Sequence, residues 1–448
     1  ENAVWSFASS MPSMCPLGYD YATEDDNELL PYGTPSNLLR LASPKINRAN
    51  NTRILGRVMI KPFTGLDIIG EYSFNRNWGS EKQFNEIYKY IAPVTGEKKD
   101  TYTNSKYQMK QFFETTNAIN IFATYSKDID DHSFSVMGGY NQENWYYESL
   151  KATREDPINQ GLPSISQSTG TITSEDSFKE YALRSLFYRL TYSYKGKYLV
   201  EANGRYDGTS RFPKNSRFGF FPSFSAGWRV SEESFMQGMN SYLSNLKLRA
   251  SWGSIGNQVI LKSDNTPDNY PYIPDMNVYL SSWLVDGQKI TTLGAPAMVS
   301  SSFGWEKVYT LDFGFDLDLF DNKLNTTFDW YRRDTKGMLA PGMELPGVVG
   351  TSAAKQNAAD LKTYGWELKI NWRDQIGQVG YRVGFNLYDS QSEITKYDNE
   401  AGLIGSNIYR KGMKLGEIWG YVTDRFYTED DFNTDGTLKP GIPMFKGA

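Results

Sequence analysis

The sequence predicts an all-β fold, an antiparallel up-and-down β-barrel that spans a membrane. Several segments alternate apolar and polar residues with a period of two, which gives each strand one apolar and one polar face. Tight turns and long connections alternate along the chain, and aromatic residues make up 15% of its 448 residues. No segment has the roughly 18 consecutive apolar residues of a transmembrane helix, whereas a barrel strand needs only about 10 alternating residues.

The clearest strands form a hairpin near the middle of the chain. In 198–207 the even positions are apolar or glycine and most odd positions are polar. Residues 186–194 keep the same period, and Lys195-Gly196-Lys197 supplies a tight turn between the two segments. A third strand follows at 220–230. These three segments predict consecutive antiparallel strands.

The remaining segments bring the predicted total to about twelve strands. Two further hairpins, over 309–330 and 366–387, show the alternation strongly. Weaker pairs lie at 53–75 and 118–147. The connections between all these strands then decide between the possible β architectures.

Connection lengths favour a membrane barrel. Long connections are predicted at 76–117, 148–180, 258–304 and 337–363, all at one end of the strands, with 212–215 as the short exception there. Outer-membrane barrels have long extracellular loops and short periplasmic turns. A soluble sandwich has no reason to place its long loops at one end. Alternation alone is equally expected of a soluble sheet packed on a core, so the residues leave that alternative open.

Aromatic residues gather near the predicted strand ends, as in the girdles at the two interfaces of membrane barrels. They are Tyr192, Tyr194, Tyr198 and Trp372 at the turn end, and Phe218, Phe221, Trp330 and Tyr364 at the loop end.

The composition excludes several classes of function. A net charge of -5 argues against a nucleic-acid binder, which must neutralise phosphates. Cys15 is the one cysteine and His132 the one histidine, so the chain has no internal disulfide and no cluster of Cys and His ligands for zinc. His132 follows two aspartates in a short turn, where we expect it to be solvated. No nucleophile-base or paired-carboxylate spacing indicates an enzyme, and no cofactor is expected.

One short motif resembles a metal site. Asp431, Asn433, Asp435 and Gly436 match the first half of a calcium loop. The twelfth position of that loop is Ile442, where a bidentate glutamate is required. The sequence therefore predicts a polar turn here, and no metal site.

Motifs spread over residues 200–425 carry a family resemblance, which is vaguer before residue 200. The chain resembles the SusC/RagA-type TonB-dependent transporters of the bacterial outer membrane. The matching segments are 205–212 (RYDGTSRF), 217–223 (RFGFFPS), 226–229 (AGWR), 246–253 (LKLRASWG), 256–258 (GNQ), 305–306 (WE), 325–334 (NTTFDWYRRD), 365–367 (GWE) and 420–424 (GYVTD).

The resemblance implies a barrel of 22 strands with an N-terminal plug, embedded in outer-membrane lipid. It implies import of oligosaccharides or peptides, powered by a TonB complex and assisted by a SusD-like surface lipoprotein. About twelve strands are predicted here, so residues 1–448 are expected to be a fragment of one barrel domain that lacks plug, TonB box and final strands. A passive porin and a soluble or surface carbohydrate-binding β protein are the alternatives.

Aromatic residues of the long loops are the first candidates for ligand contact, because sugars stack on aromatic rings. Tyr270 belongs to this group, and we single out Trp78, Trp145, Tyr146, Tyr147, Tyr272 and Trp283. Arg205, Asp207 and Arg211 alternate with the apolar face, where we expect a structural ladder of ion pairs on the inner wall.

Overall fold

The computed structural model describes sixteen stretches of the chain, and Cys15 lies outside them. They are residues 30–31, 45–85, 87, 89–91, 98–100, 105–159, 161–239, 241–262, 266–276, 278–296, 298–299, 303–341, 355–397, 399, 409–418 and 425–442. Among these residues no helix is long and apolar enough to cross a membrane.

Twelve strands form one sheet, and each pairs antiparallel with the next along the chain. Their bounds are β1 Lys45–Phe63, β2 Leu66–Asn85, β3 Lys106–Ile129, β4 His132–Glu155, β5 Ile172–Tyr194, β6 Tyr198–Thr209, β7 Phe218–Arg229, β8 Leu243–Asn257, β9 Glu306–Leu319, β10 Leu324–Pro341, β11 Lys355–Ile376 and β12 Val379–Lys396. The predicted all-β, up-and-down architecture is confirmed, as is the number of strands. The outermost strands, β1 and β12, each pair with one neighbour.

Strands β1 to β5 are longer than predicted, with 19 to 24 residues each. Much of the predicted loops 76–117 and 148–180 is therefore strand, and that part of the prediction is wrong. The reason is that the outer face of these extensions is mixed in polarity. Their backbones continue to pair, from Lys45 opposite Gln83 to Arg154 opposite Ile172, without an alternating pattern to reveal it.

Turns of two to four residues close the hairpins at one end of the sheet, which we call the turn end. Gly65, in the turn between β1 and β2, has a φ of +89° and lies against the Ser126 carbonyl, so a side chain there would be strained and would clash. The connection between β7 and β8 is the exception at this end. It contains two short 3-10 helices, Val230–Glu232 and Ser234–Met239.

The outer face of the sheet carries a continuous apolar band. On β5 this band runs from Leu186 to Tyr194, nine residues, close to the 9 to 11 residues of a tilted membrane-spanning strand. Polar residues such as Arg76, Arg184 and Arg332 lie at the edge of the band that is nearer the loop end. Exposed members of the band include Ile121, Val136, Leu186, Leu190, Val200, Phe220, Phe224, Leu248, Phe313, Val383 and Phe385. A continuous exposed apolar band of this kind is typical of the lipid-facing surface of a membrane barrel.

Aromatic rings are in contact along the turn-end edge of this band. Tyr198 stacks on Tyr194 at 6.2 Å and on Trp228 at 6.3 Å between ring centroids. Near the opposite edge Phe218 stacks on Tyr206 at 5.1 Å. Phe221 was predicted there too, but this is wrong. It occupies an odd position of β7, so it faces inward, where it is buried.

The inner face is lined by polar and charged groups that bind one another. Arg249 of β8 lies 2.9 Å from Asp316 of β9 and 2.9 Å from Asp329 of β10. Asp318 accepts hydrogen bonds from Asn245 at 3.1 Å and Asn325 at 2.7 Å. A wet interior accommodates such a face, whereas a dry core does so only at high cost.

At the loop end, the inner ends of β7 to β10 are covered by the connection between β8 and β9. Phe212, Ile260 and Phe303 form a buried cluster, against which Trp305 and Leu339 pack. Trp305 donates a hydrogen bond to the Arg217 carbonyl at 3.1 Å. The same connection contains a two-stranded hairpin, Val278–Val285 with Gln288–Leu293.

Candidate functional site

The inner face at the loop end carries an unusual row of aromatic rings. Tyr147 and Trp145 of β4 stack at 6.1 Å, and Trp145 stacks on Tyr181 of β5 at 5.2 Å. We call these three residues the aromatic row. Cations close both of its ends, with the Lys110 ammonium 5.8 Å from the Tyr147 ring and the Arg211 guanidinium 4.1 Å from the Tyr181 ring. The row is thus held at both ends by cation-π contacts.

Strand register explains why these side chains meet. Trp145 lies directly opposite Tyr181, and Tyr147 is two residues along β4, on the same face. Two carboxylates fix the polar ends of the rings. Glu114 of β3 accepts a hydrogen bond from the Trp145 indole nitrogen at 2.7 Å, and Glu143 accepts one from the Tyr181 hydroxyl at 3.0 Å. These hydrogen bonds and the stacking contacts therefore hold the three rings in defined orientations.

The stacking limits what the aromatic row does chemically. Because each ring partly shields its neighbour and cations lie over the terminal rings, the space for a sugar to stack on a ring face is restricted. The row instead offers ring edges and the carboxylates of Glu114 and Glu143 as hydrogen-bond acceptors. That set suits a polar ligand bearing hydroxyl or ammonium groups.

The connection between β8 and β9 is fastened beside this row. The Arg211 Nε donates to the Asn269 side-chain oxygen at 3.0 Å, and both residues are buried. The Tyr272 hydroxyl donates to the Ser210 carbonyl at 3.3 Å, and the Tyr270 hydroxyl accepts from the Glu180 backbone nitrogen at 3.1 Å. Burial raises the pKa of Tyr270. We call Asn269, Tyr270 and Tyr272 the clasp.

The six predicted ligand contacts are divided among four places. Trp145 and Tyr147 lie on the inner face, in the aromatic row, and Tyr272 lies in the clasp. Trp283 lies on the hairpin and is exposed. Trp78 and Tyr146 are on the outer face, since Trp78 pairs with Phe113 and Tyr146 with Glu180. The expectation that Trp78, Trp145, Tyr146 and Tyr147 are loop residues is wrong, because all four lie within strands.

The predicted ion-pair ladder is present in part. Arg205 lies 3.1 Å from Asp207, and its guanidinium also donates to the Ser185 hydroxyl at 3.0 Å. Arg211 differs from the expectation: instead of an ion pair, it makes the contacts with Tyr181 and Asn269 described above. Its role is to join the aromatic row to the clasp.

Two isolated polar motifs also have defined surroundings. The carboxylate of Asp431 binds Arg425 and Thr428, and the carboxylate of Asp435 binds Thr437, in agreement with a polar turn. Arg425 lowers the pKa of Asp431 far below its ordinary value. His132 is exposed, as expected, but its Nδ1 lies 2.8 Å from the Tyr192 hydroxyl and its ring contacts Tyr194.

Sequence reasoning missed Glu114, Tyr181 and Asn269 as members of this site. Glu114 and Tyr181 lie on strands whose pairing sets their neighbours, and Asn269 comes from a connection distant in sequence. A usable signal existed for Tyr181, because its odd position places it on the inward face of β5.

Comparisons with known proteins agree with this architecture. The family described as TonB dependent receptor-like, beta-barrel matches residues 15–444. TonB-dependent receptor P3 of Formosa agariphila is 28% identical over 86% of this chain, which covers 39% of that protein. TonB-dependent receptor SusC of Bacteroides thetaiotaomicron is 28% identical over 91% of this chain and 42% of its own length. The chain thus spans about two fifths of the length of these relatives.

Solved structures show the same fold. The RagAB peptide importer in its closed-closed state matches with a TM-score of 0.73 at 20% identity, over 94% of this chain and 45% of that one. The RagAB peptide transporter matches with a TM-score of 0.70 at 19% identity, over 84% and 40%. The predicted family and location are confirmed. The chain belongs to the TonB-dependent receptor β-barrel family, is similar to its SusC-type and RagA-type members, and is a protein of the bacterial outer membrane.

Proposed function

We propose that this chain forms part of the barrel of a TonB-dependent importer that carries oligosaccharides or peptides across the outer membrane. The supporting observation is the sheet itself. Its outer face is an apolar band one membrane thick, its inner face is charged, and its large connections lie at one end. Such a wall encloses a polar path through lipid.

We further propose that the chain is a fragment of one barrel domain. Strands β1 and β12 each leave one edge without a partner strand within the described sheet. Unpaired backbone groups are very costly in lipid, so a barrel needs further strands to close. Other parts of the polypeptide supply these strands, the plug and the segment that engages the TonB complex. The share of the relatives' length that the chain covers supports this proposal.

The partner we propose is a SusD-like surface lipoprotein at the loop end. The similarity of this chain to SusC and to the RagAB importer supports this class of assembly. Trp283 on the exposed hairpin, and Trp78 and Tyr146 on the strand extensions, are accessible there. We assign these three to contacts with the lipoprotein or between loops.

Ligand contact is assigned to the inner side of the loop end. Trp145 and Tyr147 present ring edges beside Glu114, and Tyr272 holds the clasp next to them. Hydroxyl groups of a sugar and ammonium groups of a peptide both bind carboxylates. The geometry therefore supports a polar ligand, and both substrate classes are retained in the proposal.

The first experiment is to isolate the native complex from outer membranes, measure the intact mass of its polypeptide and identify stoichiometric partners. A chain much heavier than 51.0 kDa, bound to a lipoprotein, supports the proposal. Uptake of labelled oligosaccharides and peptides is then compared between cells with and without a functional TonB complex. Uptake that needs no TonB identifies a passive pore. The soluble alternative is wrong, since the chain is an outer-membrane protein.

A further inference from the structure

The connection between Arg229 and Leu243, described except at position 240, is unlike its neighbours at the turn end. The other turn-end connections of the sheet have two to four residues. This one folds into two 3-10 helices and exposes three large apolar side chains. Phe235 is 67% exposed, Met239 53% and Tyr242 65%.

The first half of this connection is tied to the lipid-facing surface. Glu233 accepts a hydrogen bond from the Trp228 indole nitrogen at 3.1 Å. Trp228 in turn stacks on Tyr198, and both belong to the outer-face aromatic girdle. Lys197 lies 3.4 Å from the same carboxylate, so its charge is neutralised there.

The second half is tied to the same girdle further along the sheet. The Tyr242 carbonyl accepts a hydrogen bond from the Phe320 backbone nitrogen at 2.8 Å. The Phe320 ring lies 6.3 Å from the Trp372 ring, which is on the outer face of β11. Both ends of the connection are therefore at the level where the apolar band meets the turn end.

Large apolar side chains are more stable in an apolar environment than in water, so three of them exposed together on one short connection indicate an apolar surface that covers them. Aromatic and apolar side chains beside a lipid-facing girdle are typical of elements that lie in the membrane interface.

We propose that this connection is a lipid anchor, which inserts Phe235, Met239 and Tyr242 into the interface of the phospholipid leaflet at the turn end. Its continuity with the girdle at Trp228 and Phe320 identifies lipid as the occupant. The anchor fixes the depth of the turn end in the membrane, independently of any ligand at the loop end.

The test uses the full-length protein in phospholipid vesicles, with an environment-sensitive fluorophore on a single introduced cysteine. The test site is Phe235→Cys, in a background where Cys15 and any other native cysteine are serine. Asp130→Cys, in the two-residue turn between β3 and β4, is the matched control at the same end. Leu190→Cys, in the apolar band, is the reference for lipid contact.

The anchor predicts that lipids with a spin label near the headgroup quench the fluorophore at position 235 strongly, and that aqueous iodide quenches it weakly. The fluorophore at position 130 shows the reverse. Equal iodide quenching at 235 and 130 overturns the proposal, because the connection then lies in water. Protection at 235 from both quenchers also overturns it, since protein then covers the site. If the 235 variant does not assemble, Met239→Cys gives the same test.

Discussion

Strands β1 to β9 divide into two halves that complete their loop ends in different ways, and strands β10 to β12 belong to neither half. Strands β1 to β5, the long-strand half, continue as paired strands beyond the apolar band, up to 24 residues in length. Strands β6 to β9, the short-strand half, have 12 to 15 residues and are covered by a folded connection instead. The first solution depends on backbone hydrogen bonds and the second on side-chain packing.

Exposure of comparable residues shows the difference. Phe178, on the extension of β5, is 52% exposed and contacts Tyr146 edge-on at 5.1 Å. Phe212, which follows β6, is 1% exposed and packs against Trp305 at 5.4 Å. A pair of long strands tolerates the loss of one side chain, because its many backbone hydrogen bonds remain. A small buried core does not, because each member fills space that the others need. The short-strand half should thus be the more sensitive to single substitutions.

The largest effect is expected for Phe212→Ala. Deleting a buried phenylalanine leaves a cavity and costs about 3–5 kcal/mol. The measurement is hydrogen exchange of the full-length protein over residues 258–262 and 266–276, converted to a local free energy of unfolding. Phe178→Ala is the matched control, with an expected cost of about 1 kcal/mol or less. Equal effects at the two positions would remove the distinction between the halves.

Arg211→Lys tests the junction between the two halves. Lysine keeps the charge but loses the planar contact with Tyr181 and the Nε hydrogen bond to Asn269, at an expected cost of about 1–2 kcal/mol. The same exchange measurement should show the clasp opening more readily. Arg205→Lys is the control, because Arg205 sits in a partly exposed ion pair worth about 0–1 kcal/mol. If both variants behave alike, Arg211 contributes no more to stability than Arg205, a residue of the ion-pair ladder.

Tyr272→Phe tests the contribution of a single hydrogen bond to the clasp. Removing the hydroxyl deletes one hydrogen bond, to the Ser210 carbonyl, and is expected to cost about 0.5–1.5 kcal/mol. The rate of hydrogen exchange should rise over residues 266–276 and remain unchanged on β4. Tyr279→Phe, in the exposed hairpin of the same connection, should leave both unaffected. A larger response on β4 than in the clasp would contradict the local role of Tyr272.

A pH effect is expected outside both halves, at residues 425–442. Because Arg425 lowers the pKa of Asp431 in the folded state, the pair stabilises this segment above the ordinary pKa of an aspartate. That stabilisation is lost as the pH falls toward the lowered value. Limited proteolysis with an acid-tolerant protease should cut this segment faster at low pH. Asp431→Asn should remove the dependence; a variant that keeps it would show that another group titrates.

The sequence by itself determined the number of strands, the short turns and the face of each strand that meets lipid. The physical reason is that lipid and lumen require opposite polarity on the two faces of a strand, so apolar and polar residues alternate along it. The order of turns and strands along the chain then requires no long-range information. Arg205 and Asp207 were placed on the inner wall by the same alternation.

Only the tertiary structure decided how the loop end is built. Beyond the apolar band both faces of a strand meet water, so polarity no longer marks β1 to β5 as strands. The aromatic row requires the register that sets Trp145 opposite Tyr181, and the buried cluster joins Phe212 to Phe303, which is distant in the chain. Such contacts depend on cross-strand pairing and on how a connection folds back, and neither is encoded in the local pattern of residues.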